Sequence, residues 1–564
     1  MSRGETGTWR LRRPLPPGSP LWLPLSREWE IPENAARLAW LRGMDSPSDL
    51  AWRLDPCWCR STDPFLIHGM AAGVAAVREA IAAGRRICVY GDYDVDGVTA
   101  TALLVRVLQR LGAEVDFFIP NRFSDGYGLS LECIREIQET RSPALLISVD
   151  CGVRSVEEVA ASRELGMEWV ITDHHSVGPE LPPALAVIHP GLGGYENPWL
   201  AGVGVAFKLA QALVDAVPVP KGEITAFLDG LLKLVALGTL ADMVPLRGEN
   251  ALLARRGLLA LGNGNGPGLT LLLRAAHVEG QVKSQDVAFG LAPRLNAVGR
   301  MGGAEDAVRL LLTRDPQEAR TLMDRVERLN SERRTIQQTL VDRLPPTDGA
   351  PFDLVVDPEA HKGVIGIVAG RRMRATGRPS AVCTVHDGVA QCSLRAPEGY
   401  DLGQLLDLAR PFLLSGGGHR SAAGMSFLLG RLPFVRQVLE RGALEQAGAL
   451  PPPDLLIDGS RPEEIPDEAD LLLLEPFGQG FAPPLFLLEG ILAQEPTPFG
   501  QGHTKLRIQG VSETLTWFSS GDLIAGVKKG QWLAFAASPQ DHPRWGRSWL
   551  VECSVAPTPQ VASA

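Results

Sequence analysis

Three short apolar runs in the first third of the chain end in the same chemistry, and this repetition constrains the fold more than any other feature. Ile87–Tyr90 leads into Gly91-Asp92-Tyr93-Asp94-Val95-Asp96-Gly97, Leu145–Val149 runs into Asp150, Cys151 and Gly152, and Trp169–Ile171 continues into Thr172-Asp173-His174-His175. Further runs at Val115–Ile119 and Ala184–Ile188 alternate with helical stretches such as Thr99–Leu111, where Leu103, Leu104, Val107, Leu108 and Leu111 keep a three-to-four spacing. Strand–helix alternation predicts a parallel sheet covered on both faces, with chemistry gathered beyond the carboxyl ends of its strands. The three acidic strand ends then lie side by side. A lone Asp after a strand is more often a helix cap than a ligand. Several carboxylates converging beside two imidazoles are different, because they repel one another unless cations lie among them. A mixed carboxylate and imidazole set suits Mn²⁺ or a similar first-row ion.

At 564 residues the chain exceeds one core, so three or four domains are expected. The net charge of −10 counts against a protein that coats duplex DNA, yet leaves room for one strand in a local basic groove. Apolar runs fall short of a membrane span, the stretch Leu231–Ala241 being interrupted by Lys233. No membrane and a cytoplasmic location are the expectation. The eight cysteines suggest no disulfide framework, and Cys57 and Cys59 form a CxC with no second pair, read as reduced thiols.

Helices are expected from Gly202 to Leu344. The last opens with Asp315 as N-cap, Pro316 at the first position and Glu318 completing a capping box. Its stripe of Leu322, Val326, Leu329, Ile336, Leu340 and Leu344 ends at Pro345 and Pro346, roughly 45 Å of helix, long enough to join two lobes. A second α/β block runs from Asp353 to Gly442, and the prolines at 451–453 mark a linker. The runs Leu485–Leu488, Lys505–Ile508, Leu515–Phe518, Trp532–Ala536 and Trp549–Cys553 then predict a small antiparallel β-barrel.

Asp173-His174-His175 is the signature of the DHH phosphoesterase superfamily; Gly91–Gly97 resembles its first motif and Leu234–Pro245 its fourth. Pro120–Leu129, Leu200–Lys208, Ala292–Gly302, Gly363–Ala369 and Glu475–Gly480 resemble segments of RecJ-type exonucleases, in the family's order, over nearly the whole chain. The resemblance implies an α/β, two-lobed DHH phosphoesterase: a parallel-sheet catalytic domain, a long connecting helix and a smaller DHH-associated α/β domain, plus a C-terminal OB-fold β-barrel. The expected divisions are an N-terminal extension at 1–62, the DHH domain at 63–246, a helical connector at 247–346, the DHH-associated domain at 347–449 and the OB fold at 454–556. A cleft between the lobes would admit a single strand and exclude a duplex.

The resemblance also implies two divalent cations, Mn²⁺ ahead of Mg²⁺, held by Asp94, Asp96, Asp150, His174 and Asp242, with Asp150 bridging. Catalytic roles fall to Asp150, His174 and His175, the last nearer the substrate phosphate, while Asp173 orients a histidine. Some branches carry a His ligand where this chain has Tyr90, which leaves the first metal one ligand poorer. Arg122, Arg294 and Asn296, with Ser393 and Arg395, are implied to hold the strand and its 5′ phosphate. Gly417, Gly418 and His419 resemble a phosphate-facing loop, although a tight turn before a strand explains the glycines equally well. The aromatic residue common before His361 is replaced by Ala360. In the barrel, Trp517, Phe518, His503, Lys505, Arg507, Lys528 and Lys529 are available to a single strand, with no base platform assigned among them.

The implied function is a single-stranded-DNA-specific 5′-to-3′ exonuclease of DNA repair and recombination, acting as a monomer. Its partners would be single-stranded DNA, a single-stranded-DNA-binding protein and a RecQ-type helicase. One rival is a small-substrate phosphodiesterase for nanoRNA or cyclic dinucleotides, against which the barrel counts. Another is a non-catalytic replication scaffold, against which the intact acids count.

Overall fold

A computed structural model of the chain describes residues 9–14, 20–122, 128–214, 221–449, 455–500, 502–518, 520–524, 526–542 and 546–555. Residues 123–127 of the Pro120–Leu129 motif and the prolines at 451–453 lie outside the described residues. The chain divides into two compact units, one of Leu21–Ser331 with Ala469–Pro483, the other of Met1–Pro20, Glu332–Glu468 and Pro484–Ala564.

In the first unit, β1 (Ile87–Tyr90), β2 (Val115–Phe118), β3 (Leu145–Val149), β4 (Glu168–Thr172) and β5 (Ala186–Ile188) form a sheet in the order β2-β1-β3-β4-β5, every pairing parallel. All residues of β1, β3 and β5 are buried, as helices on both faces require. Helix α1 (Val95–Arg110) starts four residues before the periodicity suggests, because Asp94 caps it by accepting the N–H groups of Asp96 and Gly97. It packs against α2 (Gly202–Val214) and α3 (Lys221–Asp242).

Helix α3 is long and apolar enough to cross a membrane, contrary to the expectation drawn from Lys233. Yet Leu231, Leu232, Leu234, Val235, Ala236 and Leu237 sit in the core. A Cβ added to Gly257, on the neighbouring helix Gly248–Leu261, would meet the Leu232 carbonyl oxygen at 2.1 Å. Lys233 donates to the carbonyls of Asn263 and Gly264 at 2.6 and 2.8 Å, so its charge interrupts the run without breaking the packing.

The segment Ala469–Pro483 returns to this unit although its neighbours on both sides belong to the other. Its anchor is the buried Arg53, which donates to the carbonyls of Leu474 (3.0 Å), Pro476 (2.6 Å) and Leu246 (2.7 Å) and lies 3.5 Å from the Phe481 ring centroid. Leu246 N–H donates to Gln479 O at 2.8 Å, so the loop leaving α3 is clamped from both sides. A guanidinium can be buried there because three carbonyls replace its water.

Helix α4 (Ala292–Arg300) follows, then the long α5 (Pro316–Arg343), inside which the two units divide, between Ser331 and Glu332. Asp315 caps α5 through Gln317 N–H, but the expected capping box does not close. Thr313 Oγ1 takes the Asp315 N–H, and its hydroxyl donates to Glu318.

The second unit holds a mixed sheet of β6 (Asp353–Val356), β7 (Ser380–His386), β8 (Val389–Arg395), β9 (Ser415–Gly418) and β10 (Ala422–Leu428), in the order β9-β10-β8-β7-β6. Only β6 and β7 pair in parallel. Cys383 and Cys392 face each other across β7 and β8 and are bonded, Cα to Cα 3.9 Å, which corrects the expectation of no disulfide. Direct cross-strand register makes this pair, and a nine-residue spacing does not announce it. Cys57 and Cys59 are free thiols.

The barrel comprises β11 (Phe486–Ile491), β12 (Thr497–Phe499), β13 (His503–Leu506), β14 (Leu515–Trp517), β15 (Trp532–His542) and β16 (Gly546–Val555), ordered β11-β15-β16-β14-β13-β12. It is not wholly antiparallel, since β14 and β16 run parallel. A bridge from Leu492 to Ile508 curls the sheet back on itself. Trp517 is core, whereas Phe518 is exposed.

Candidate metal centre

Four elements of the first unit deliver acids and imidazoles to one place. The loop after β1 carries Asp92, Asp94 and Asp96, β3 ends at Asp150, β4 runs into Asp173-His174-His175, and α3 ends at Asp242. His174 Nε2 lies 3.1 Å from Asp150 Oδ1, 3.7 Å from Asp242 Oδ2 and 3.9 Å from Asp96 Oδ2. Three overlapping trios, Asp96/His174/Asp242, Asp92/Asp94/Asp150 and Asp150/His174/His175, each hold their potential ligand atoms within 4.8 Å of one another. The structure therefore gathers Asp94, Asp96, Asp150, His174 and Asp242. Helix N-termini account for part of two members: Asp94 Oδ1 accepts from the start of α1, and Asp96 from the start of α2.

Backbone details hold the acids close. Asp96 accepts the N–H groups of Gly202 (2.7 Å) and Val203 (2.8 Å) at the start of α2. A Cβ on Gly202 would meet Asp150 Oδ1 at 2.5 Å, so glycine is needed for this approach. Asp150 sits at φ 61°, a left-handed conformation that a side chain adopts at a cost, as functional sites often do.

Burial pushes the Asp96 carboxyl up to about 7, with Asp94 adding to the shift and the N–H bonds from Val203 and Gly202 opposing it. Burial, then Asp96, raises Asp242 to about 8. Asp150 and Asp92 are driven well above the ordinary carboxylate range, burial first and neighbouring aspartates second. The buried Oδ1 atoms of Asp92 and Asp150 have no hydrogen-bond donor. Orphaned, mutually repelling carboxylate oxygens beside imidazole nitrogen are the donor set a divalent cation fits.

Asp173 plays a different part. Its Oδ1 accepts from the N–H groups of His174 and His175 and lies 2.8 Å from His175 Nδ1, while Oδ2 accepts from Val153 N–H. Burial works against both charges, but the hydrogen bond wins: Asp173 falls to about 2 and His175 rises to about 9. Asp173 thus orients the His175 ring through Nδ1. His189 Nε2 is 2.8 Å from His175 O and braces the same turn.

Tyr90 has no place in the donor set: its hydroxyl donates to Gly128 O at 3.0 Å from within a cluster of Phe118 and Trp169. Asp92, passed over in the sequence reading, belongs to it. Three aspartates alternate in Gly91–Gly97, and only packing tells which of them turn inward.

The expected substrate contacts divide. Asn296 Oδ1 accepts from Val95 N–H at 3.3 Å, which sets it against the first motif. The guanidinium of Arg122 lies 5.1 Å from the Tyr93 ring centroid, on a cavity of about 450 Å³ shared with Asn121, Gly299, Arg309 and Arg325. Arg294 is a correction. Two residues from Asn296, it faces the other side of α4, where it is buried, pairs with Glu327 (2.5 Å) and donates to Gly290 O and Ala275 O (both 2.7 Å). All three of its nitrogens serve the fold.

In the second unit, Arg395 donates to Ser393 Oγ (3.2 Å) and Leu394 O (2.7 Å). A Cβ on Gly366 would meet Ser393 Oγ at 2.8 Å, so that glycine keeps the pair uncovered. Gly417 and Gly418 are part of edge strand β9 rather than a loop, and His419 N–H donates to Ala422 O in the turn to β10. Ala360 is buried in a small core with Val364 and Val382.

Comparison with known proteins agrees with this geometry. Residues 86–239 match the DHH family N-terminal domain, 350–442 the DHHA1 domain and 468–548 the RecJ OB domain. The chain is 36% identical over 524 residues to the single-stranded-DNA-specific exonuclease RecJ of Bacillus subtilis, covering 90% of this chain and 65%, slightly under two thirds, of that relative. A crystal structure of RecJ with Mn²⁺ from Thermus thermophilus is similar at a TM-score of 0.81 and 32% identity, over 98% of this chain and 80% of that one. A crystal structure of RecJ with Mg²⁺ from the same organism is similar at 0.74 and 29%, over 98% and 79%.

Proposed function

The chain belongs to the RecJ family of single-stranded-DNA-specific exonucleases, and from that premise we propose that it degrades single-stranded DNA from the 5′ end by two-metal hydrolysis, with Mn²⁺ preferred over Mg²⁺. The observation that carries the reading is the overlap of the donor trios, in which Asp150 and His174 are shared. Asp96 and Asp242 with His174 would hold one ion, Asp92 and Asp94 the other, and Asp150 both. The ions, when bound, would generate a hydroxide from water and neutralise the phosphate.

The chain's own side chains do the rest. His175, held through Nδ1 by Asp173, stands beside the donor set as a contact for a substrate phosphate oxygen. Asn296 and Arg122 border the first motif and are placed to contact a bound strand. Ser393 and Arg395 supply a hydroxyl and a forked guanidinium for the backbone or its terminal phosphate. The edge strand Gly416–Gly418, with His419 at its turn, gives close backbone N–H groups. On the barrel, Phe499, His503 and Phe518 form an edge-to-face cluster beside Lys505, a sequence-neutral surface for bases. This last feature favours a polymer over a dinucleotide. Repair and recombination, with a single-stranded-DNA-binding protein and a helicase as partners, form the setting in which such an activity is used.

The experiment uses single strands labelled at the 5′ or 3′ end, matched duplexes and a dinucleotide, each with Mn²⁺ or Mg²⁺. Early release of the 5′ label from single strands, fastest with Mn²⁺, is the expected result. Early release of the 3′ label, or preference for the dinucleotide, would overturn the proposal.

A further inference from the structure

Met243 follows the last residue of α3, and its backbone lies in the left-handed region at φ 61°. Helices often end on such a residue, where glycine costs least because it has no Cβ. Methionine keeps the strain, and packing does not offset it: its side chain is 69% exposed, whereas Val244 beside it packs against the core. Nor is the loop loose. Asn250 Nδ2 donates to Pro245 O at 3.1 Å, Arg53 Nη2 to Leu246 O at 2.7 Å, and Leu246 N–H to Gln479 O at 2.8 Å. A long apolar side chain is thus held on a fixed backbone one residue from Asp242, whose Oδ2 is 3.7 Å from His174 Nε2.

A strained backbone beside a chemical centre is a feature of residues that serve the centre, and here the strained residue carries a long apolar side chain. A phosphate or a sugar hydroxyl gains nothing from a thioether. The face of a nucleobase does, because sulfur and methyl groups pack favourably on aromatic rings and adapt to rings of different size. Resting on the reading of this centre as one that cuts single-stranded DNA, we infer that Met243 packs on a base flanking the scissile phosphate and so positions the strand for hydrolysis. Every base has such a face, so the contact is blind to sequence.

The test compares wild type with Met243→Ala and Met243→Leu on 5′-phosphorylated strands. The two nucleotides flanking the first phosphodiester bond carry normal bases or are made abasic one at a time. For wild type, one of the two abasic strands should raise KM by about two- to tenfold, the range of a sulfur–aromatic contact. Met243→Ala should show that raised KM already on the normal strand, with no further rise on the abasic one. Met243→Leu should stay within about twofold of wild type, since an apolar chain of similar length keeps the packing. Calorimetric Mn²⁺ affinity should be unchanged in both variants. An abasic penalty in Met243→Ala equal to that of wild type would overturn the inference, as would a fall in Mn²⁺ affinity that parallels KM. If wild type cleaves no strand at all, the reading of the centre fails and the inference with it.

Discussion

In the presence of a chelator, the stability of this protein is expected to fall as pH rises. The cause is the acid cluster, where Asp96 is raised to about 7 and Asp242 to about 8. An unfolded aspartate releases its proton near 3.9. Between those values the folded state holds protons that the unfolded state has lost, so stability is full below about pH 4 and is lost as pH climbs through 7 to 8. His175, raised to about 9, acts in the same direction at the upper end. One pKa unit corresponds to ~1.4 kcal/mol, so Asp96 alone withdraws ~4 kcal/mol in total, about 2–3 kcal/mol of it between pH 5 and pH 8. The other acids interact with Asp96 and are not added to it. At about 2–4 °C per kcal/mol for a unit of this size, the metal-free Tm should drop by roughly 5–10 °C over that interval. Mn²⁺ favours the ionised carboxylates, so the stabilisation it brings should grow across the same window. Thermal melts with chelator and with saturating Mn²⁺, at pH 5, 6, 7 and 8, measure both trends. A metal-free Tm that is level or rising, together with a Mn²⁺ increment independent of pH, would refute the charge reasoning.

Asp150→Ala is expected to abolish hydrolysis without unfolding the protein, because it removes the acid shared between the donor groups; activity within about tenfold of wild type at saturating Mn²⁺ would remove Asp150 from the centre. His174→Ala should lose more Mn²⁺ affinity than His175→Ala, since His174 Nε2 faces three carboxylates while His175 Nδ1 is taken by Asp173; calorimetry on both variants decides it, and equal losses count against the assignment. Arg395→Ala should cost about tenfold or more in kcat/KM, more on 5′-phosphate than on 5′-hydroxyl ends, as loss of a charged hydrogen bond predicts. Arg294→Ala should instead lower Tm and slow both ends equally, because its guanidinium ties α4 to Glu327 and to two carbonyls; a selective loss on phosphorylated ends would return it to the substrate.

Much of this protein is legible in its sequence. Strand–helix periodicity from Ile87 to Ile188 predicted the parallel sheet, and acids at three strand ends predicted where its chemistry lies, because both follow from spacing along a single element. Asp315 could be read as a cap for the same reason. What depended on distant chain segments could not be read. Arg294 and Asn296 lie two residues apart in one motif, yet helix geometry turns one towards the metal centre and the other into the fold. Asp92 joins the donor set because Gly97 lets its backbone come close, as Gly202 does for Asp150, which spacing does not encode. Cys383 and Cys392 are bonded through strand register. Ala469–Pro483 leaves its sequence neighbours because Arg53, more than four hundred residues earlier, must satisfy a buried charge with carbonyls. The sequence determined which local shapes and which chemical groups are present, since these depend on residue type and period. Only the tertiary structure decided which groups meet, since burial forces each charge and each N–H to find its partner wherever the chain brings one.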